Sequence, residues 1–256
     1  MEQLVYFIVF LLGCAVGSFL NVVVDRSNEG KSFLKGRSHC DHCRHKLHWF
    51  DLIPIVSFLL LSGKCRYCKA KLSFYYPIVE IITGLSFVWI SVLYFPSLLT
   101  IGYFFFIISC LIVIFFADLK YGIIPFFSVI PAVALAFLWY LFIPGNLPIS
   151  NYLLSGLGAF LFFFLLFAIT KGKGMGFGDV VYAFLMGFLL GFPKIVLGFY
   201  TAFIAGALIS LFLVWLHKKK LKGSTIPFGP FLVAATVISM FWGDQLIEKA
   251  LGFLVR

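Results

Sequence analysis

Long apolar runs, separated by short segments rich in charge, proline or glycine, dominate the chain. A helix that crosses a bilayer needs roughly 20 mostly apolar residues. Runs of this kind cover residues 4–24, 77–95, 98–117, 125–143, 152–170, 180–192, 195–216 and 227–242. The sixth is short and needs Gly178 and Asp179 near the interface to complete it. Breaks at Phe95-Pro96, Pro144-Gly145-Asn146 and Gly191-Phe192-Pro193-Lys194 carry residues that end helices. The pattern predicts an all-α polytopic membrane protein with about eight transmembrane helices. A bend at Gly187 or Gly191 leaves seven or nine open. The expected organisation is a first transmembrane helix at 1–24, a cytoplasmic domain at 25–76, a transmembrane region at 77–243 and a tail at 244–256. The tail reads as an interfacial helix or a frayed end.

Composition narrows the class. Of 256 residues, 62% are apolar, 20% aromatic and 12% charged, which excludes an ordinary soluble domain, a disordered chain, collagen and a small disulfide scaffold. A net charge of +10 on a soluble protein would suggest nucleic acid; here it reports orientation, and no nucleic-acid partner is expected. With the N-terminus outside, segments 25–76, 118–124, 171–178 and 217–225 share one side. They hold 10, 1, 2 and 4 Lys/Arg, which is 17 of the 20. That side is expected to be the cytoplasm, with Lys218, Lys219, Lys220 and Lys222 as a topological anchor that also meets membrane lipid. The opening Met1-Glu2-Gln3 lacks positive charge and no A-x-A site follows, so the first run reads as a retained helix.

The segment 25–76 contains Cys40-Asp41-His42-Cys43 and, after 21 intervening residues, Cys65-Arg66-Tyr67-Cys68. Two such knuckles can present four thiolates to one tetrahedral Zn²⁺. Four sulfurs leave no position for water, so a structural zinc is expected. A redox pair and free thiols or disulfides are the alternatives. His39, His42, His45 and His48 lie nearby and read as solvated surface side chains rather than ligands. Cys14 and Cys110 fall in apolar runs and read as packing residues.

Acids are scarce where they matter. Between Leu52 and Gly243 there are three: Glu80, Asp118 and Asp179. A carboxylate in such surroundings is costly and needs a partner, a wet cavity or a function. The topology puts Asp118 and Asp179 at the same ends of their spans. Two close carboxylates hold one proton between them, so one can activate water while the other protonates a scissile carbonyl. Gly172, Gly174, Gly176 and Gly178 would let backbone approach a substrate chain and adopt positive φ. The competing reading pairs each acid at an interface with Lys120 or Lys173. Glu80 reads as an anchor for the cysteine domain through an Arg or Lys, or as a participant in a second reaction. Gly13-x-x-x-Gly17 and Gly187-x-x-x-Gly191 suggest close helix contacts.

An ordered series of motifs resembles the type IV prepilin peptidases, aspartic proteases with a G-x-G-D signature. The series is Gly17-Ser18-Phe19-Leu20-Asn21-Val22-Val23, the two knuckles, Asp51-Leu52-Ile53-Pro54-Ile55 and Tyr76-Pro77-Ile78-Val79-Glu80. It continues with Asp118 and Ile124-Pro125, Gly174-Met175-Gly176-Phe177-Gly178-Asp179, and Ile226-Pro227-Phe228-Gly229-Pro230-Phe231. The chain departs from the pattern at Phe126, where many members have Asp, at Val181, where a Lys often follows, and after Cys40, which lacks the usual proline. The resemblance implies a multi-pass enzyme of the bacterial cytoplasmic membrane that removes the leader of prepilins or pseudopilins at the cytoplasmic face. Asp118 and Asp179 match the catalytic acids, with Gly174, Gly176 and Gly178 in the substrate-approach loop and Cys40, Cys43, Cys65 and Cys68 as zinc ligands. It further implies methylation of the new N-terminus with S-adenosylmethionine, without identifying donor-binding residues. A peptidase lacking methyltransferase activity and a zinc-bearing membrane transporter are the alternatives. The oligomeric state is not set by the sequence.

Overall fold

The computed structural model describes the chain except Met1, Glu29, Lys31, 33–35, Asp41, 144–146, 217–226 and 255–256. The Lys218, Lys219, Lys220 and Lys222 anchor, the Pro144-Gly145-Asn146 break, Asp41 of the first knuckle and Ile226 of the last motif lie outside the described residues.

The elements are α1 (Glu2–Asn28), a 3-10 turn (Trp49–Leu52), α2 (Val56–Leu60), α3 (Tyr75–Tyr94) and α4 (Leu98–Tyr121). They continue with α5 (Phe126–Phe142), α6 (Ile149–Ile169), α7 (Phe177–Leu190), α8 (Lys194–Trp215) and α9 (Gly229–Leu254). Among the described residues there is no strand, only isolated bridges His39–Lys46 and Lys64–Lys71. Among the described residues six helices, α1, α3, α4, α6, α8 and α9, are long and apolar enough to cross a membrane. The other two apolar helices, α5 and α7, have 17 and 14 residues. At 1.5 Å per residue α7 is about 21 Å long. It already includes Gly178 and Asp179.

Two compact units divide the chain, Met1–Val113 and Ile114–Arg256. Within the first, α1 and α3 approach closely because glycine faces backbone. A Cβ on Gly13 would lie 2.7 Å from the Cα of Gly84, and one on Gly17 would lie 2.8 Å from the Cα of Glu80. Small residues of this kind let helices pack in lipid, where apolar burial alone gives little drive to associate.

Within the second unit, Gly187 abuts Ser155 and Gly156 of α6 in the same way. Gly187 therefore supports a close contact rather than a bend, and α7 runs through it to end at Gly191, whose φ is +67°. On α6 the buried residues are Gly156, Ala159 and Phe163, while Leu154, Leu157, Leu161 and Leu165 are exposed. Small residues inside and leucines outside suit a helix whose outer face meets lipid. Lys194 pairs with Asp244 at 2.7 Å, tying α8 to α9, which continues unbroken through Gly243.

Candidate active site and metal centre

Asp118 sits in the last turn of α4, 6% exposed. Its Oδ2 accepts the Gly229 N–H at 2.8 Å, from the first residue of α9. A helix N-terminus leaves such N–H groups without intrahelical partners and favours negative charge. Contact is so close that a Cβ on Gly229 would lie 2.6 Å from that oxygen. Glycine is required there by space, not by φ.

Asp179 is the third residue of α7 and is 8% exposed. Its Oδ2 accepts the N–H of Gly176, the N-cap, at 3.1 Å. The Asp118 carboxylate is near enough for its charge to be felt at Asp179. The partners found are thus backbone amides. Of the four loop glycines expected to adopt positive φ, only Gly172 does, at +71°. Gly178 is close-packed, since a Cβ there would lie 3.0 Å from the Cβ of Ile124.

Two features that hold this site went unread in the sequence. Fully buried Tyr182 lies one turn beyond Asp179, and its hydroxyl meets the Thr236 Oγ1 at 2.8 Å, joining α7 to α9. Thr236 donates to the Leu232 carbonyl at 2.7 Å, so Tyr182 is the donor in that pair. Phe228, beside Gly229, is set among Phe163 and Phe203, with ring centroids at 6.5 and 5.2 Å. A tyrosine in an otherwise apolar run, three residues past an acid, was the available signal.

In the first unit the two knuckles are the same structure made twice. The Cys40 N–H bonds the His45 carbonyl, and the Arg44 N–H bonds the Cys40 carbonyl. Twenty-five residues later the Cys65 N–H bonds the Ala70 carbonyl and the Lys69 N–H bonds the Cys65 carbonyl. Arg44 and Lys69 take matching positive φ values of 58° and 59°. The Sγ atoms of Cys40, Cys43, Cys65 and Cys68 all lie within 4.8 Å of one another, with Cys40 and Cys68 3.8 Å apart. Zn–S bonds of about 2.3 Å place tetrahedral sulfurs about 3.8 Å apart, so the donor set fits zinc. Burial opposes the Cys65 thiolate, but hydrogen bonds from the Cys68 and Tyr67 backbone and from neighbouring thiols outweigh it and lower the thiol to about 7. Among the described residues no histidine belongs to this cluster; His45 packs against Tyr67 with ring centroids 3.8 Å apart and planes tilted by 34°, and His48 stacks on Phe50 at 5.2 Å.

Asp51 and Glu80 brace this region. Asp51 accepts from Arg66 Nε at 2.7 Å, Tyr67 Oη at 3.2 Å and the His48 N–H at 3.1 Å. Burial works against its charge, but these donors prevail and hold the carboxyl below its ordinary value. Glu80 Oε2 accepts the Ile55 N–H at 2.7 Å, and Ser18 also donates to this carboxylate. Glu80 therefore ties the cysteine domain to α3 through a backbone amide, not through the Arg or Lys expected. Ile55 adopts a φ of 62°, rare for a β-branched residue, to present that N–H.

These elements define a polytopic helical membrane protein with two buried aspartates at helix ends in one unit and a four-cysteine, zinc-compatible centre in the other. Comparison with known proteins makes the assignment specific. Residues 11–94 match the bacterial peptidase A24 N-terminal domain, and residues 105–211 match the type IV leader peptidase family. A prepilin leader peptidase/N-methyltransferase of Bacillus subtilis is 32% identical over 94% of this chain and 96% of its own. Proteins of the same name from Aeromonas salmonicida and Pseudomonas aeruginosa are 27% and 29% identical over 98% and 95% of this chain, and over 96% and 92% of their own. No solved structure matches. The chain belongs to the type IV leader peptidase family.

Proposed function

We propose that this protein cleaves the leader from prepilins or pseudopilins by aspartic-protease chemistry at Asp118 and Asp179, then methylates the exposed N-terminal amine. The reading is carried by one observation: two buried acids from different helices interact electrostatically while each is held by a backbone N–H. Both amides hold Oδ2, which leaves Oδ1 of each acid for the shared proton and the substrate. The ionised carboxylate takes a proton from water, whose oxygen adds to the scissile carbonyl carbon. Its protonated partner donates to the carbonyl oxygen, and collapse of the tetrahedral intermediate expels the protonated amine. Gly174, Gly176 and Gly178 form the loop along which the substrate backbone approaches.

The cysteine centre holds structural zinc; four thiolates fill the tetrahedron and leave no catalytic position. The methyl donor is S-adenosylmethionine, whose methyl group is activated by its sulfonium charge. The excess of Lys/Arg in segments 25–76, 118–124, 171–178 and 217–225 supports a cytoplasmic location for the cysteine domain and both acids. The membrane is the bacterial cytoplasmic membrane.

The test incubates purified protein with a prepilin, with and without S-adenosylmethionine, and follows the product by mass spectrometry. Leader loss without donor, followed by a methyl increment with donor, is the expected result. No cleavage overturns the peptidase reading, and cleavage without the increment overturns the methyltransferase half.

A further inference from the structure

The stretch between the two cysteine knuckles carries large apolar side chains on its outside. Trp49 opens the 3-10 turn and is 76% exposed, and Leu60 closes α2 and is 80% exposed. Ile53, Val56 and Leu59, between them, are exposed as well. In α2 the positions Val56, Leu59 and Leu60 share one face. Ser57, Phe58 and Leu61 turn the other way and line a cavity within the same unit. Phe58 also meets Phe74, with ring centroids 5.1 Å apart, and Phe74 is 72% exposed immediately before α3. Apolar side chains grouped on one outer surface mark a place that meets something other than water.

The hydrogen bond from the Ile55 N–H to Glu80 fixes where that surface lies. Helix α3 has 20 residues. At 1.5 Å per residue it is about 30 Å long, which is the thickness of the hydrocarbon core. It needs its whole length to cross, so Tyr75 marks one boundary of that core. Glu80 follows five residues later, which puts its Cα about 8 Å inside the boundary. Helical side chains lean toward the helix N-terminus, which brings the carboxylate, and Ile55 with it, back to the shallow part of the core. Beyond α2 the chain turns to exposed Lys64, Lys69 and Lys71, with Lys64 and Lys71 facing each other across an isolated bridge. Apolar side chains at shallow depth, followed at once by lysines, suit hydrocarbon on one side and anionic headgroups on the other. A water-soluble partner has no access at that depth.

We infer that residues 49–60, together with Phe74, are embedded in the adjoining lipid monolayer, so that the cysteine domain rests in the bilayer surface instead of standing in water. Trp49 suits the headgroup level, where an amphipathic ring has both an apolar and a polar neighbour. Val56, Leu59 and Leu60 enter the acyl chains below it. The position of the cysteine domain is then set by two contacts, the Glu80 anchor inside the protein and lipid outside it. The inference does not depend on the proposed catalytic chemistry.

The test uses the full-length protein in vesicles of phosphatidylethanolamine and phosphatidylglycerol whose acyl chains carry bromine either beside the headgroup or at the chain end. Bromine quenches tryptophan fluorescence on contact. The difference between wild type and Trp49→Phe gives the Trp49 signal, and Leu60→Trp adds a second reporter at an exposed position. Both signals are expected to fall about twofold or more with shallow bromine, and less with deep bromine, the depth of an interfacial segment. Iodide in the water is expected to quench them weakly. Zinc content shows that each variant keeps its cysteine domain. A phospholipid with a diazirine beside its headgroup provides a variant-free measurement on wild-type protein, expected to label the peptide 49–60. Full access to iodide with no quenching by either bromine overturns the inference, as does stronger quenching by the deep bromine. Lipid label on the transmembrane helices but not on 49–60 overturns it as well. Protection from iodide that appears only when a prepilin is added would assign the surface to the substrate and overturn the lipid reading.

Discussion

Three acids stand isolated in apolar sequence, and each is held by a backbone N–H, but to different ends. In the first unit Glu80 takes the N–H of Ile55; in the second Asp118 takes that of Gly229, and Asp179 takes that of Gly176. A backbone amide fixes a carboxylate oxygen without cancelling its charge, unlike a lysine or arginine. The difference lies in what comes near. Asp179 lies within reach of the Asp118 charge, which suits a shared proton. Glu80 instead ties the cysteine domain to α3, in a cavity also lined by Asn21, Arg26 and Arg66. One sequence signal, an acid where acids are expensive, therefore marks two different environments, decided by the neighbour.

The sharpest way to break this comparison is to remove charge from one member of the pair. Asp118→Asn and Asp179→Asn each retain an oxygen for the capping N–H and lose the ability to share or transfer a proton. Each is expected to lower leader cleavage by on the order of 10²–10⁴-fold, the usual contribution of a general acid or base. Cleavage of prepilin on a gel, alongside membrane insertion, measures it. Near-normal cleavage by either variant would leave the two aspartates as mere helix caps.

Replacing Cys40 or Cys65 with serine tests the metal centre. Zinc bound per chain, measured by atomic emission, is expected to fall from about one to near zero, because folding and metal binding are coupled in small domains. Retained zinc after either change would disprove the four-thiolate site.

A subtler change sharpens the account of Asp118. In Gly229→Ala the new Cβ meets the carboxylate unless α4 or α9 shifts. The expected loss in cleavage is roughly tenfold to a hundredfold, since misplacement by about 1 Å at a reacting group costs that much. Wild-type kinetics would show that the Gly229 contact does not position the acid.

The spans, the cysteines and the acids were legible in the sequence because each interrupts its surroundings. The repeated knuckle was half-legible: Cys spacing marked it, while the matching left-handed residues Arg44 and Lys69 carry no sequence signature. The partners of the acids were not legible. Gly229 meets Asp118 across 111 residues, and only helix packing decides which amide arrives. The first helix also runs four residues past the apolar run that marks it in the sequence. Asp25 looks like the start of a polar segment, yet α1 runs on to Asn28 while the Tyr76 hydroxyl donates to that aspartate. A charged residue ends an apolar run in the sequence pattern without ending the helix.

The smallest expected effect concerns Asp51, an acid that does have a charged partner. Its side chain is 3% exposed and Arg66 is 44% exposed, so solvent screens the pair from one side. Asp51→Asn is expected to destabilise the cysteine domain by roughly 1–2 kcal/mol, the range of about 1.5–3 for hydrogen bonds to charged groups lowered by solvent screening. The sign with pH follows from the lowered carboxyl. Its contribution is complete above the ordinary carboxylate value of 3.8 and disappears as pH falls through the lower folded value. Protonation of the thiolates releases metal before that range is reached, so acid titration reads the zinc centre and not Asp51. The substitution must be compared with wild type at neutral pH, by the rate of zinc transfer to a chelator. Transfer a few-fold faster in Asp51→Asn is the expected outcome. Equal rates would mean that the knuckles hold their geometry without this brace, and that an acid with a charged partner contributes less here than those held by an amide alone.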